Sequence, residues 1–325
     1  MSPILRYILA AMTAIVLGTL IAYPILTLCK KLKFSQTILH YVDKHSAKSG
    51  TPTMGGLIFI ASTIISSLFF LRGQVFWAVL TLLIMFAYGM LGFLDDFIKI
   101  KFHQNEGLKP YQKIIGQVGI SFVVAMYAYF NVGTTLNLFG LTIDLGLFII
   151  PFIMVFYVAV TNSVNLLDGL DGLASGVSGT YILFFGVILV LLGGQAFENM
   201  AIVCFAMVGS LLAFLLFNGF PAKIFMGDTG SLALGGLIAS LAVFSGLELI
   251  LPIMGILYVL TALSDILQVA YYKKTHKRIF KMAPLHHHFE QLGVHENRIV
   301  TIYIVITFVL GLLTTMGYMF VTGVI

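Results

Sequence analysis

Ten stretches of mostly apolar residues divide this chain almost from end to end, each close to the about 20 residues a helix needs to cross a bilayer. They fall at 4–28, 54–71, 75–94, 113–130, 144–163, 174–192, 198–217, 231–246, 249–272 and 299–323. Backbone inside lipid must satisfy its own polar groups, so such stretches form helices or close into a barrel. The alternation that marks barrel strands is absent. The sequence therefore predicts an all-α integral membrane protein of about ten transmembrane helices; the eighth stretch is short and rich in glycine, which leaves nine or eleven as alternatives. Composition agrees, at 59% hydrophobic and 10% charged residues, where soluble domains are about a quarter charged. No polar tract is long enough for a separate domain, so 1–325 reads as one polytopic membrane domain.

Charge placement sets an orientation. Lys30, Lys31, Lys33, Lys44, Lys48, Lys99, Lys101, Lys109, Lys223, Lys273, Lys274, Lys277, Arg278, Lys281 and Arg298 lie in the loops after the first, third, seventh and ninth stretches. The other side keeps Arg6 and Arg72. Basic loops stay cytoplasmic, so both termini are expected on the outer side. The net charge of +5 is then topological and calls for no nucleic acid. The first stretch is too long for a signal-peptide core and is followed by lysines, which predicts a retained anchor. Cys29 and Cys204 are far apart, with no metal or redox spacing, and read as small buried hydrophobes.

The acids are the informative residues. Asp95, Asp96, Asp168, Asp171 and Asp228 all fall in or beside loops of the basic side, and Asp265 lies near it within the ninth stretch. Carboxylates are costly in a membrane, so a gathering on one face needs a reason. Asp95-Asp96-Phe97-Ile98-Lys99 ends the third stretch; at helical spacing both acids can neighbour the Lys99 ammonium. Paired carboxylates with phosphate ligands are a common setting for Mg²⁺. In Asn165-Leu166-Leu167-Asp168-Gly169-Leu170-Asp171-Gly172 polar side chains recur every three residues, with glycines that admit close backbone approach. Asn218 to Ser231 (NGFPAKIFMGDTGS) carries Asp228 at the start of a helix, where it could cap the helix or hold a metal beside amides that receive phosphate. Its Asp-Thr-Gly-Ser matches an aspartic-protease tetrapeptide but opens a membrane helix rather than a β-hairpin. The intramembrane-protease pattern Gly-x-Gly-Asp also fails, because Phe225 stands at its first position. Pro284-Leu285-His286-His287-His288 lies in the last basic loop; on a helix the three rings diverge, and in extended chain the first and third converge, suiting phosphate contact or proton handling. Lys48-Ser49-Gly50-Thr51-Pro52-Thr53-Met54-Gly55-Gly56 resembles an anion cradle without matching a P-loop.

Together, KSGTPTMGG, GFLDDFIK, NLLDGLDGL, NGFPAKIFMGDTGSLALGG and RIFKMAPLHHHFE resemble, in order and in the expected loops, the polyprenyl-phosphate N-acetylhexosamine-1-phosphate transferases. TPTMGG and PLHHHFE favour the muramoyl branch over the GlcNAc-1-phosphate branch. Two positions depart from the family pattern: Leu167 stands where a threonine is common, and Asp265 where an apolar residue is usual. The resemblance implies transfer of phospho-MurNAc-pentapeptide from UDP-MurNAc-pentapeptide to undecaprenyl phosphate with Mg²⁺, at the cytoplasmic face of the bacterial inner membrane, by a homodimer. It implies Asp228 as leading Mg²⁺ ligand with Asp95 and Asp96 beside it, Asp95 deprotonating or orienting the lipid phosphate, and His287 in catalysis. It implies Lys48, Thr53, Lys99, Lys113 and His286 to His288 on phosphates, and Asn165, Asp168, Asp171, Asn218, Phe225 and Gln268 around the uridine and sugar, the uracil stacking near Phe225. A GlcNAc-1-phosphate transferase is the alternative within the class. A lipid-linked-sugar transporter is the alternative outside it, although transporter acids usually lie near the bilayer midplane.

Overall fold

A computed structural model describes residues 1–31, 50–102 and 107–323. Each apolar stretch is helical. In chain order the helices are α1 (Pro3–Lys31), α2 (Gly56–Phe70), α3 (Phe76–Lys101), α4 (Pro110–Asn131), α5 (Ile149–Leu167), α6 (Leu173–Leu192), α7 (Gln195–Asn218), α8 (Gly227–Ser245), α9 (Leu251–Met254), α10 (Ile256–Thr275), α11 (Leu285–Gln291) and α12 (Glu296–Val321). Among the described residues, eight helices are long and apolar enough to cross a membrane: α1, α3, α4, α5 with the turn before it, α6, α7, α8 and α12.

Two of the ten expected spans take another form. The stretch from 54 yields an α2 of only 15 residues, because its start is extended. There Phe225 N–H donates to Pro52 O, and Gly55 and Gly56 N–H donate to Phe225 O and Met226 O. The ninth stretch is broken between Glu248–Met254 and Ile256–Thr275, which meet at 79° around Gly255, with Pro252 opening α9. A further difference is a hairpin of β1 (Thr135–Leu138) and β2 (Leu141–Asp144), antiparallel, with Leu138 opposite Leu141. Its two-residue turn places Phe139 (φ 47°) and Gly140 (φ 84°) in left-handed backbone, as the tightest hairpins require. Strands of four residues are too short to show alternation.

The bundle is built around α8. Of its most apolar window 89% is buried, against 22% for α1 and 28% each for α4 and α12. Lipid and helix interior are equally apolar, so close contact in such a bundle depends on small residues. A Cβ on Gly56 would lie 2.2 Å from Gly230 Cα, one on Gly92 2.0 Å from Asp228 O, and one on Gly235 2.6 Å from Thr161 Cα. Glycine thus seats α2, α3 and α5 directly on α8. Buried hydroxyls pair across the interfaces, Tyr157 with Ser240 and Tyr258 with Ser178, each at 2.9 Å. At one end Arg6 binds Glu198 at 2.8 Å, and Phe139 of the hairpin packs on Tyr318, so α1 begins and α12 finishes there. The antiparallel succession carries the acids to the other end. Cys29 and Cys204 are buried and unbridged, as expected of small hydrophobes.

Candidate active site

The site end is assembled from the last turn of α3, the first turns of α4 and α8, and the loops between α5 and α6 and between α10 and α12. Asp95 and Asp96 are buried at 2% and 4% exposure, although they close a helix that elsewhere faces lipid. Pro110 opens α4, with Lys109 N–H held by the Gln112 side chain, and this start aims Lys113 inward. Gly227 (φ 71°) lets the chain turn into α8. Asp228 then lies in the first helical turn rather than at the N-cap position, which Met226 occupies.

Asp95, Asp96 and Asp228 come together, each offering an oxygen within 4.8 Å of the others. Asp228 is the hub. Its Oδ2 lies 2.8 Å from Lys99 Nζ and 2.9 Å from Lys113 Nζ, and its Oδ1 accepts a 2.6 Å hydrogen bond from Asn165 Nδ2. Asn165 also donates to Ser231 Oγ, whose hydroxyl donates to Gly227 O. Asp95 Oδ2 lies 2.6 Å from Lys99 Nζ, and its Oδ1 accepts from Leu108 N–H at 2.8 Å. Sequence spacing placed both Asp95 and Asp96 within reach of Lys99. Lys99 remains an electrostatic neighbour of Asp96, whose oxygens turn to α8 and accept from Asp228 N–H, Thr229 N–H and Thr229 Oγ1. Thr53 is buried beside it: a Cβ on Gly227 would lie 2.6 Å from Asp96 Oδ2 and 2.8 Å from Thr53 Oγ1.

The donor set suits a hard divalent cation. All three candidate ligands are carboxylate oxygens, the preference of Mg²⁺, and the nearest counter-charges are mobile ammonium groups rather than fixed guanidinium. Asp168 closes α5 on the flank of this cluster. Desolvation, then the nearby Asp228, Asp96 and Asp171 carboxylates, raise its pKa well above the usual carboxylate range.

The histidines lie on α11, where the His286 and His287 rings sit side by side with centroids 4.4 Å apart and His288 turns toward Phe280. His286 is fully enclosed with no hydrogen-bond partner on either ring nitrogen; His287 Nδ1 lies 3.1 Å from Glu290 Oε2; His288 Nδ1 accepts from Lys281 N–H. The first two face the acid loop: a Cβ on Gly169 would lie 2.4 Å from His286 Nε2 and 2.9 Å from His287 Nε2. This juxtaposition, invisible in sequence, brings the last loop to Asp168.

Three residues expected around the uridine and sugar make hydrogen bonds within the chain. Asn218 is buried, accepting from Ser175 Oγ at 2.8 Å and donating to Ile224 O at 3.0 Å. Asp171 Oδ2 accepts from Ala222 N–H at 2.9 Å, while its own N–H binds Glu296. Gln268 Oε1 accepts from Ile279 and Phe280 N–H, and its Nε2 donates to Phe280 O, all at 3.0 Å. Each of these side chains ties neighbouring chain segments together. Phe225 is half-buried on the strand-like contact with Pro52 and Gly55. Lys48 lies outside the described residues. Leu167 is enclosed and Asp265 half-buried. Sequence reasoning missed Thr229, Ser231, Glu290 and Glu296. The first two are polar residues one and three positions after Asp228, a signal that was present; Glu290 is i+3 from His287; Glu296 opens α12 and carried no local signal.

Comparison with known proteins identifies the family. Residues 77–246 match the model of glycosyl transferase family 4, and residues 48–60 match phospho-N-acetylmuramoyl-pentapeptide-transferase signature 1. A phospho-N-acetylmuramoyl-pentapeptide-transferase of Clostridium perfringens (strain 13 / Type A) is 47% identical over 307 residues, 94% of this chain and 96% of that protein. Those of Clostridioides difficile (strain 630) and Thermoanaerobacter pseudethanolicus (strain ATCC 33223 / 39E) are 44% and 45% identical, over 93% and 94% of this chain and 94% and 96% of theirs. With such identity along nearly the whole chain, and the acids, lysines and histidines assembled at one end of the bundle, the chain belongs to the family of phospho-N-acetylmuramoyl-pentapeptide-transferases.

Proposed function

We propose that the chain transfers phospho-MurNAc-pentapeptide from UDP-MurNAc-pentapeptide to undecaprenyl phosphate, giving lipid I and UMP. One observation carries the reading: Asp95, Asp96 and Asp228 meet Lys99 and Lys113 where the helices leave their apolar stretches. One substrate is water-soluble and the other is anchored in lipid, so their phosphates meet only at such a boundary.

In the reaction an oxygen of undecaprenyl phosphate bonds to the β-phosphorus, the bond from that phosphorus to the bridging oxygen breaks, and UMP leaves with that oxygen. Negative charge is crowded throughout, and catalysis of phosphoryl transfer rests mainly on positioning and electrostatic stabilisation. Asp228 and Asp95 would hold a Mg²⁺ ion, which when bound neutralises charge developing on the diphosphate. Lys99 and Lys113 hold phosphate oxygens. Asp95, anchored through Oδ1 to Leu108 N–H, orients the lipid phosphate and accepts its proton where one is present. Asn165 fixes the rotation of Asp228. His287, oriented by Glu290, and His288 border the sugar-phosphate side, with Thr53 contributing from the segment before α2 and Lys48 as a further phosphate contact. The half-buried Phe225 ring offers a stacking face for uracil.

The basic loops support a cytoplasmic site end by the positive-inside rule. The two chain termini then face outward, α2 and the broken α9–α10 pair complete a count of ten membrane segments, and the enzyme resides in the bacterial inner membrane. Match to the signature at 48–60 favours the muramoyl donor over UDP-GlcNAc. The test is UMP release by the purified protein in vesicles holding undecaprenyl phosphate, with each UDP-sugar in turn, under Mg²⁺ or EDTA. UMP from UDP-MurNAc-pentapeptide alone, abolished by EDTA, is the expected result. Release from UDP-GlcNAc instead, or passage of a lipid-linked sugar without UMP, overturns it.

A further inference from the structure

The three clustered acids do not share one task. We infer that Asp96 is a positioning residue, the N-terminal cap of α8 supplied from α3, and that cation binding falls to Asp228 and Asp95. The inference rests on the divalent-ion reading above for what Asp228 does.

A helix start leaves its first N–H groups without partners, and they are normally satisfied by a side chain at the N-cap. Helix α8 has none: Met226 stands at that position and makes no side-chain cap. Asp96 takes over the duty from another helix. Its Oδ2 accepts from Thr229 N–H at 2.9 Å and Thr229 Oγ1 at 2.7 Å, and its Oδ1 accepts from Asp228 N–H at 3.2 Å. Three of the about four lone-pair directions of a carboxylate are thereby taken. Its anionic charge also lies at the positive end of the helix dipole.

What faces each acid separates the roles. Asp95 and Asp228 face the ammonium groups of Lys99 and Lys113, which swing away on flexible stems when a cation or phosphate arrives. Asp96 faces backbone amides and a buried hydroxyl, which cannot leave without unwinding α8. Close packing holds it there. Gly92, one turn earlier on α3, presses the backbone of α3 against Asp228 O, and Gly227 leaves no room for a Cβ beside Asp96 Oδ2. Asp96 therefore clamps the backbone of Asp228, while Asn165 sets its side chain.

The test uses the full chain in nanodiscs, with Mn²⁺ as probe in the absence of substrate. Mn²⁺ binding is titrated by electron paramagnetic resonance and amide exchange in the first turn of α8 is followed by mass spectrometry, for wild type, D96N, D228N and T229V. D96N presents an amide N–H₂ to the N–H donors of α8, and T229V removes one donor while leaving the Asp96 carboxylate intact. For D96N the expected result is Mn²⁺ binding within about tenfold of wild type, faster exchange in the first turn of α8, and a fall in kcat with little change in KM. For D228N, binding falls by more than about 100-fold, beyond the about 10–100-fold that loss of a residue supporting a ligand costs. T229V shows a smaller acceleration of exchange with Mn²⁺ binding intact, and carries the test if D96N does not fold. Mn²⁺ lost beyond about tenfold in D96N, or exchange at α8 unchanged in D96N and T229V, overturns the inference. Retained Mn²⁺ binding in D228N instead overturns the divalent-ion reading, and the capping role is then judged on exchange alone.

Discussion

Lys113 Nζ lies 2.9 Å from Asp228 Oδ2 across 115 residues of sequence, and Lys99 Nζ reaches the same oxygen at 2.8 Å. Two ammonium groups on one carboxylate oxygen act as resident counter-ions. A divalent cation at Asp228 must compete with them, and the displaced ammonium groups are then available to phosphate. Even at 4 Å a pair of unit charges is worth about 4 kcal/mol at an effective dielectric constant of about 20. Lys113→Met is therefore expected to tighten Mn²⁺ binding in substrate-free protein by about tenfold or more while turnover falls sharply. Isothermal titration with Mn²⁺ checks the first part and UMP release the second. Weaker Mn²⁺ binding in the variant would show that the lysine supports the cation rather than competing with it.

Gly92→Ala is expected to damage the enzyme without touching a charged group. The added Cβ would lie 2.0 Å from Asp228 O and 2.6 Å from Thr229 N, both backbone atoms that cannot rotate away, so α3 must move off α8 and carry Asp95 and Asp96 with it. Overpacking of this kind costs about 1–3 kcal/mol, and the displacement falls on the acids. Gly119→Ala on α4 is the control, since nothing lies within 4 Å of its Cβ and alanine favours helix. The measurements are thermal unfolding in detergent and turnover. Equal behaviour of the two variants would mean that the α3–α8 contact is not what positions the site.

Much of this arrangement was legible in sequence, and the illegible part has a physical explanation. Helix positions follow from hydropathy because lipid enforces internal hydrogen bonding, so each apolar stretch became helix. Hydropathy carries no information on where a helix bends, and the 79° break at Gly255 was read as one continuous span. Asp95, Asp228, Lys99 and Lys113 could be nominated because charge in an apolar chain is costly and needs a purpose. Which acid meets which cation depends on how α3 and α8 approach, and that is set by Gly92 and Gly230 rather than by any property of the acids. The spacing of Asp96 and Lys99 makes them neighbours, and the crossing of the helices gives the Asp96 oxygens to the start of α8. Asn218, Asp171 and Gln268 look like ligand-binding residues in sequence, since an amide or carboxylate in a loop suits either a ligand or a backbone partner. The fold adds the partners they have within the chain, which spacing alone does not reveal.

Gln268 provides a test of that distinction. Its amide makes three hydrogen bonds, with Ile279 N–H and Phe280 N–H and O, and so ties the loop after α10 to the helix. Gln268→Leu leaves these backbone groups unpaired near the membrane surface, at about 1–3 kcal/mol for buried ones. The expected result is loosening of residues 276–284, read as faster amide exchange there, with a rise in KM for the UDP-sugar that spreads over both donor and acceptor kinetics. A variant that raises KM for the nucleotide alone, with exchange in the loop unchanged, would return Gln268 to direct contact with the uridine.

His286 gives the enzyme a stability that depends on pH in a predictable direction. Its ring is enclosed, neither nitrogen has a hydrogen-bond partner, and burial, with His287 adding to it, lowers the pKa from 6.5 to about 3. The folded state therefore holds the ring neutral, and the unfolded chain takes up a proton as pH falls through 6.5. A depressed folded pKa means that the full contribution is present above 6.5 and is lost progressively as pH drops toward 3, at up to about 1.4 kcal/mol per pH unit. His286→Phe keeps a ring in the same enclosure without a titrating nitrogen. The gap in unfolding temperature between wild type and H286F is expected to move in favour of the variant as pH falls from about 7 to 4.5, over a range where the acids the two proteins share cancel in the difference. A gap that stays constant across that range would mean that the ring titrates alike in the folded and unfolded chains, and that water or a partner reaches it in solution.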